Sequence, residues 1–131
     1  MSRREIREHL VKMLYCSDFH DDDFMKEQLE YYLENITITE DEKEYFSKRY
    51  SDIKNEINEI DNIISECSVG WKINRMSKID LSILRLAVFE IKYDESIPDK
   101  VAVNEAIEIA KIYGGENSSG FINGILAKIL E

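Results

Sequence analysis

Between Phe46 and Ile64 the chain places an apolar residue at alternating steps of four and three: Phe46, Tyr50, Ile53, Ile57, Ile60 and Ile64. That spacing lines one face of a helix with 3.6 residues per turn, whereas a strand needs a period of two. Thr39 followed by Glu42 forms a capping box that opens this helix. The seam covers about three heptads, which favours a helix of a bundle over a free coiled coil. The remainder of the chain has few breakers, with five glycines and one proline in 131 residues. Its Ile, Leu, Glu and Lys content suits helices rather than a turn-rich β fold. The expected fold class is all-α, with about six to seven helices and no segment of period two.

Further helices follow from apolar spacing and end signals. The first runs from about Ser2 to Asp18, with Ile6, Leu10, Met13 and Leu14 inward. Asp21, Asp22 and Asp23 supply an N-cap and first-turn acids for a second, whose inner face reads Met25, Leu29, Tyr32, Leu33 and Ile36. Ser68-Val69-Gly70 breaks the long seam and sets the expected boundary within one domain of residues 1–131, dividing it into subdomains 1–69 and 70–131. Trp71, Ile73 and Met76 are expected to form a short apolar clamp. Ser77 with Asp80 caps a helix through Ile83, Leu84, Leu86 and Ile91. Pro98 marks the next connection. The helix after it ends at Gly114-Gly115, where Gly114 is expected in the left-handed terminal conformation. Asn117-Ser118-Ser119 caps the last helix, which carries Phe121, Ile122, Ile125, Leu126 and Ile129.

A net charge of −10, taken as a single number, argues against nucleic acid as a partner. Its distribution says otherwise. Residues 1–12 carry +2, residues 18–66 carry −11 and residues 67–131 carry −1. Arg3, Arg4 and Arg7 sit at a helix start, where the backbone dipole favours acids and each cation costs a few tenths of a kcal/mol. Cations there oppose local stability and add to the field that an anion feels. Arg4, Arg7, Val11 and Tyr15 follow steps of three, four and four, a stripe of guanidinium groups leading to a ring. Such a stripe suits a phosphate backbone with an unstacked base. A second candidate is the turn from Gly114 to Phe121, with Lys111 and Tyr113 beside free backbone N–H groups.

Catalysis finds no support. His9 and His20 lie in no metalloprotease spacing, and Cys16 and Cys67 make no paired-cysteine motif. Asp18, His20 and Asp22 alternate like calcium-loop ligands but lack the loop glycine and terminal glutamate. The glycines at 114–120 have no phosphate-loop lysine. The chain is expected to be non-enzymatic, without catalytic residues, cofactor or metal, and cytoplasmic, with no secretory leader and no membrane partner.

The carboxy-terminal half carries a specific pattern. The run from Trp71 through Arg75, Lys78 and Asp80, then Ile83-Leu-Arg85-Leu-Ala-Val-Phe-Glu90, resembles the NusB family signature. So does Val101-Ala-Val-Asn104-Glu105-Ala106 through Lys111-Ile-Tyr-Gly114, followed by Ser118, Phe121-Ile-Asn123-Gly124-Ile-Leu126. The resemblance implies a compact fold of two packed helical subdomains and a role in transcription antitermination on rRNA operons. It implies binding of boxA-like single-stranded RNA together with the ribosomal protein NusE, within a complex of other Nus factors and RNA polymerase. The family's RNA surface maps to Arg3, Arg4, Arg7, Tyr113, Asn117, Ser118 and Phe121, and its NusE surface to Tyr15 and Asp80. Two departures remove positive charge: Glu5 interrupts the arginines, and Gly120 stands where relatives often carry a base. Weak RNA binding without NusE is therefore expected, with a log–log salt slope of about −2 from three arginines. The alternatives are a homodimeric helical adaptor with no intrinsic RNA binding, associating through Tyr50, Ile53 and Ile57, and the NusB-like appendage of an rRNA methyltransferase. In the latter case 131 residues leave no room for a cofactor-binding α/β domain.

Overall fold

Side-chain oxygens placed one turn ahead of a backbone N–H start four of the helices. Glu5 N–H donates to Ser2 Oγ at 3.1 Å and Phe24 N–H to Asp21 Oδ1 at 2.8 Å. Glu42 N–H donates to Thr39 Oγ1 at 3.2 Å and Asp80 N–H to Ser77 Oγ at 3.1 Å. Each cap satisfies a donor that a helix start would otherwise leave to water. The computed structural model describes residues 1–68, 70 and 72–131, so the expected clamp residue Trp71, with Val69, lies outside the described residues. Among the described residues the chain forms seven α-helices and no strand: α1 Arg3–Ser17, α2 Asp22–Glu34, α3 Glu40–Asn55, α4 Ile57–Cys67, α5 Lys78–Tyr93, α6 Asp99–Tyr113 and α7 Ser118–Ile129. A 3₁₀ turn spans Ile73–Arg75. No helix among them is long and apolar enough to cross a membrane.

The expected long helix is two. It breaks at Glu56 (φ −102°, ψ 12°), leaving α3 and α4. Contacts then divide the chain into Met1–Asn55 and Glu56–Glu131, so α4 belongs with the carboxy-terminal helices and the division falls ahead of residues 68–70. No glycine or proline marks the break. Asn55 is a weak helix former, and the seam changes duty there: Phe46, Tyr50 and Ile53 are buried on α3, Ile60 and Ile64 on α4. Of the residues named for self-association, Tyr50 and Ile53 are buried within the single chain and Ile57 is half-buried.

In the first unit α1 packs against α2 and α3, burying Leu10 and Leu14, Met25 and Leu33, and Phe46 and Ile53. Each such side chain contributes about 1.5–3 kcal/mol relative to exposure. The Tyr32 ring stacks on Phe46 with centroids 6.5 Å apart, and its hydroxyl shares a hydrogen bond with His9 Nδ1. Burial holds the His9 imidazole below its ordinary 6.5, and Lys12 lowers it further, while Glu8 and Glu5 oppose. Protons then bind the unfolded chain more readily than the native one, so this contribution to stability is intact above pH 6.5 and declines as pH falls through the depressed native value. Urea unfolding at about pH 7.5 and 5.5 is expected to show a loss at the lower pH that His9→Gln reduces.

The second unit is organised around α5, in which every residue from Asp80 to Glu90 is buried. A helix buried on all sides needs neighbours on all sides, and α4, α6 and α7 all pack on it. The buried Arg85 meets Asp61 of α4 in a bidentate pair, Nε to Oδ1 at 2.9 Å and Nη2 to Oδ2 at 2.8 Å. Removing Asp61 deletes two charge-assisted hydrogen bonds of a buried guanidinium at once. Asp61→Ala should cost about 3 kcal/mol in urea unfolding, and Asp61→Leu with Arg85→Met together less than that.

Candidate nucleic-acid interface

The cationic tip of α1 is built on a complete capping box. Ser2 Oγ accepts from Glu5 N–H, and Ser2 N–H donates to the Glu5 carboxylate at 3.0 Å. That backbone donor, with the Ser2 hydroxyl, holds the Glu5 carboxyl below the usual carboxylate range. Glu5 is thus the acid that closes the helix start, a role legible in the Ser2-x-x-Glu5 spacing. The terminal amino group of Met1 pairs with Glu42 at the start of α3, 2.8 Å away. The carboxylate of Glu42 also accepts from Thr39 N–H at 2.9 Å. The Met1 pair tethers the start of α1 to that of α3.

On this anchored tip Arg3 and Arg4 are exposed, but Arg7 is buried, with 8% of its surface accessible. Val11 is buried as well, while Tyr15 is 40% exposed. The anticipated stripe from Arg4 to Tyr15 is therefore interrupted, because Arg7 and Val11 fall on the same face as Ile6, Leu10 and Leu14. At the far end of α1, Tyr15 lies against Phe19, ring centroids 5.1 Å apart, and Phe19 is 55% exposed. Phe19 was not singled out from the sequence, although its spacing of four from Tyr15 announces the contact. Arg3 works against the helix dipole, so Arg3→Glu is expected to raise thermal stability by about 0.3–1 kcal/mol.

In the second unit the turn between α6 and α7 differs from expectation in how its glycines act. Gly114 has φ −87° and ψ −179°, which any residue adopts, and the described residue with positive φ is Gly70, at 82°. What Gly114 provides is space. A Cβ there would lie 2.5 Å from Ser118 Cβ, 2.6 Å from Ser118 Oγ and 2.7 Å from the Ala110 carbonyl. Ser118 is 6% exposed, and its hydroxyl accepts from Gly115 N–H at 2.9 Å. Asn117 occupies the N-cap position of α7 without a capping bond from its side chain. Asn117 and Tyr113 are exposed and Phe121 is half-buried.

Asp80 is buried, with 8% of its surface accessible, and its Oδ1 has no hydrogen-bond partner among the described residues. Its backbone N–H is capped by Ser77 as expected.

A sequence model described as the NusB family matches residues 4–131. The chain belongs to the NusB family. It is 50% identical to the transcription antitermination protein NusB of Lachnoclostridium phytofermentans, over 100% of both chains. It is 47% identical to the protein of that name from Agathobacter rectalis, over 98% of both. Among solved structures, T. maritima NusB superposes with a TM-score of 0.85 at 36% identity, covering 98% of this chain and 90% of that one. A chain from a crystal structure of the antitermination factors NusB and NusE in complex with double-stranded RNA gives 0.79 at 28%, covering 97% and 94%. The all-α class and the NusB-family fold read from the sequence hold.

Proposed function

We propose that this NusB-family chain is a transcription antitermination factor that binds boxA-like RNA jointly with NusE during rRNA operon transcription. The observation that carries the reading is the match to the family over nearly the whole chain, with relatives named transcription antitermination protein NusB at 50% and 47% identity. The RNA-bound structural relative, which also contains NusE, supports both partners. The chain works without catalysis, in the cytoplasm, within an assembly that includes other Nus factors and RNA polymerase.

In this reading Arg3 and Arg4 meet RNA phosphates from the α1 tip, where the helix dipole adds to their field. Tyr113, Asn117 and Phe121 offer two rings and an amide to unstacked bases. Arg7 belongs to the same tip but serves it from a buried position, so two arginines rather than three carry the salt-sensitive contact. NusE takes the exposed ring of Tyr15 and supplies a donor to Asp80 Oδ1; an orphaned buried oxygen costs about 1–3 kcal/mol until it is paired.

Fluorescence anisotropy with a boxA-like RNA, single-stranded and as a duplex, with and without NusE and across a salt series, tests this reading. Wild type is expected to bind the single strand with NusE, and weakly without it. Arg3→Gln with Arg4→Gln should weaken binding and lower the log–log salt slope by about 1.4. Tyr15→Ala should weaken NusE binding about tenfold or more and leave the RNA salt slope unchanged. Undiminished RNA binding by the arginine variant removes the α1 tip from the interface.

A further inference from the structure

Ser118 has an unusual place in the α6–α7 turn. It is the first residue of α7, yet its side chain points back to the chain before the helix instead of capping the helix itself. Two bonds close between the same pair of residues: Gly115 N–H donates to Ser118 Oγ at 2.9 Å, and Ser118 N–H donates to the Gly115 carbonyl at 3.1 Å. Gly114 makes the approach possible. Its backbone conformation needs no glycine, so the absent Cβ is explained by packing alone: the methyl of an alanine would sit inside Ser118. Gly114 N–H in turn donates to the Ala110 carbonyl at 2.8 Å, tying the clasp to the last turn of α6. The clasp therefore joins Tyr113, the residue before it, to Asn117 and Phe121, whose backbones are linked by Phe121 N–H donating to the Asn117 carbonyl at 3.1 Å.

We infer that Ser118 is a positioning residue for RNA: its buried hydroxyl contacts no nucleotide and fixes the spacing and orientation of Tyr113, Asn117 and Phe121. The inference rests on the reading of this turn as part of the RNA interface. With Gly115 N–H satisfied by Ser118, the turn is rigid without recruiting Asn117. The Asn117 amide, at the position where a helix start usually consumes an Asn side chain, makes no capping bond and stays exposed. A preorganised turn spends less of its binding on ordering, so loosening it weakens RNA without removing any contact.

The test uses the full chain with NusE and a boxA-like single-stranded RNA. Ser118→Ala keeps the Cβ against Gly114 and deletes only the acceptor. It is expected to lower RNA affinity roughly three- to tenfold, the worth of one neutral hydrogen bond. Gly115 amide exchange should accelerate, while the salt slope and NusE affinity stay as in wild type. Gly114→Ala, which adds no group able to bind RNA, should act in the same direction, and the double variant should be less than additive because both break one clasp. Reduced melting temperature with undiminished RNA affinity in folded Ser118→Ala overturns the inference, as does weakened RNA binding with Gly115 still protected, which makes Ser118 a direct contact. Absence of RNA binding by wild type overturns the reading of the turn itself, and this inference with it.

Discussion

A helix covered on every side fixes more of its surroundings than an amphipathic one. The stretch from Asp80 to Glu90 of α5 is covered throughout, so α4, α6 and α7 must each supply a complementary face. Apolar burial is non-directional and does not by itself choose among the rotations a helix can take about its own axis. The planar fork of Arg85 on Asp61 is directional and holds only one. Residues at both ends of this unit then gain defined positions, among them Asp80 at the start of α5 and the turn that follows α6.

The amino-terminal helix resolves a conflict between stability and charge. Its first turn carries cations where acids are favoured, in a chain of net charge −10. The Ser2–Glu5 box supplies the hydrogen bonds and one negative charge at that end, so the helix can start despite its arginines. Capping and exposed positive charge are thereby separated: Ser2 and Glu5 hold the backbone, and Arg3 and Arg4 face outward. The α6–α7 turn divides labour in the same way, with Ser118 holding the backbone while Asn117 and Tyr113 face solvent.

Periodicity and caps made most of the helices legible. Ile6, Leu10, Met13 and Leu14 are buried as their spacing required, and the Thr39–Glu42 and Ser77–Asp80 starts hold. The break at Glu56 was not legible, because a seam with unchanged period can be shared between two helices with no breaker residue at the join. At the candidate interface, residue type pointed to Arg3, Arg4 and Tyr15. It could not separate exposed Arg4 from buried Arg7, since a stripe drawn at steps of three and four runs along the margin of the apolar face. Gly114 shows another limit: a glycine after a helix suggests a left-handed turn, but here it makes room for a side chain four positions on, a contact with no local signature.

The burial of Arg7 has a genetic consequence. A buried guanidinium is part of the packing, and its loss removes both covered stem and hydrogen-bonding head. A destabilisation of about 1–2 kcal/mol changes the cellular level of a protein several-fold through proteolysis of its unfolded form. Alleles at position 7 should therefore appear first as low abundance, rescued by overexpression, whereas alleles at the exposed positions 3 and 4 should leave abundance intact.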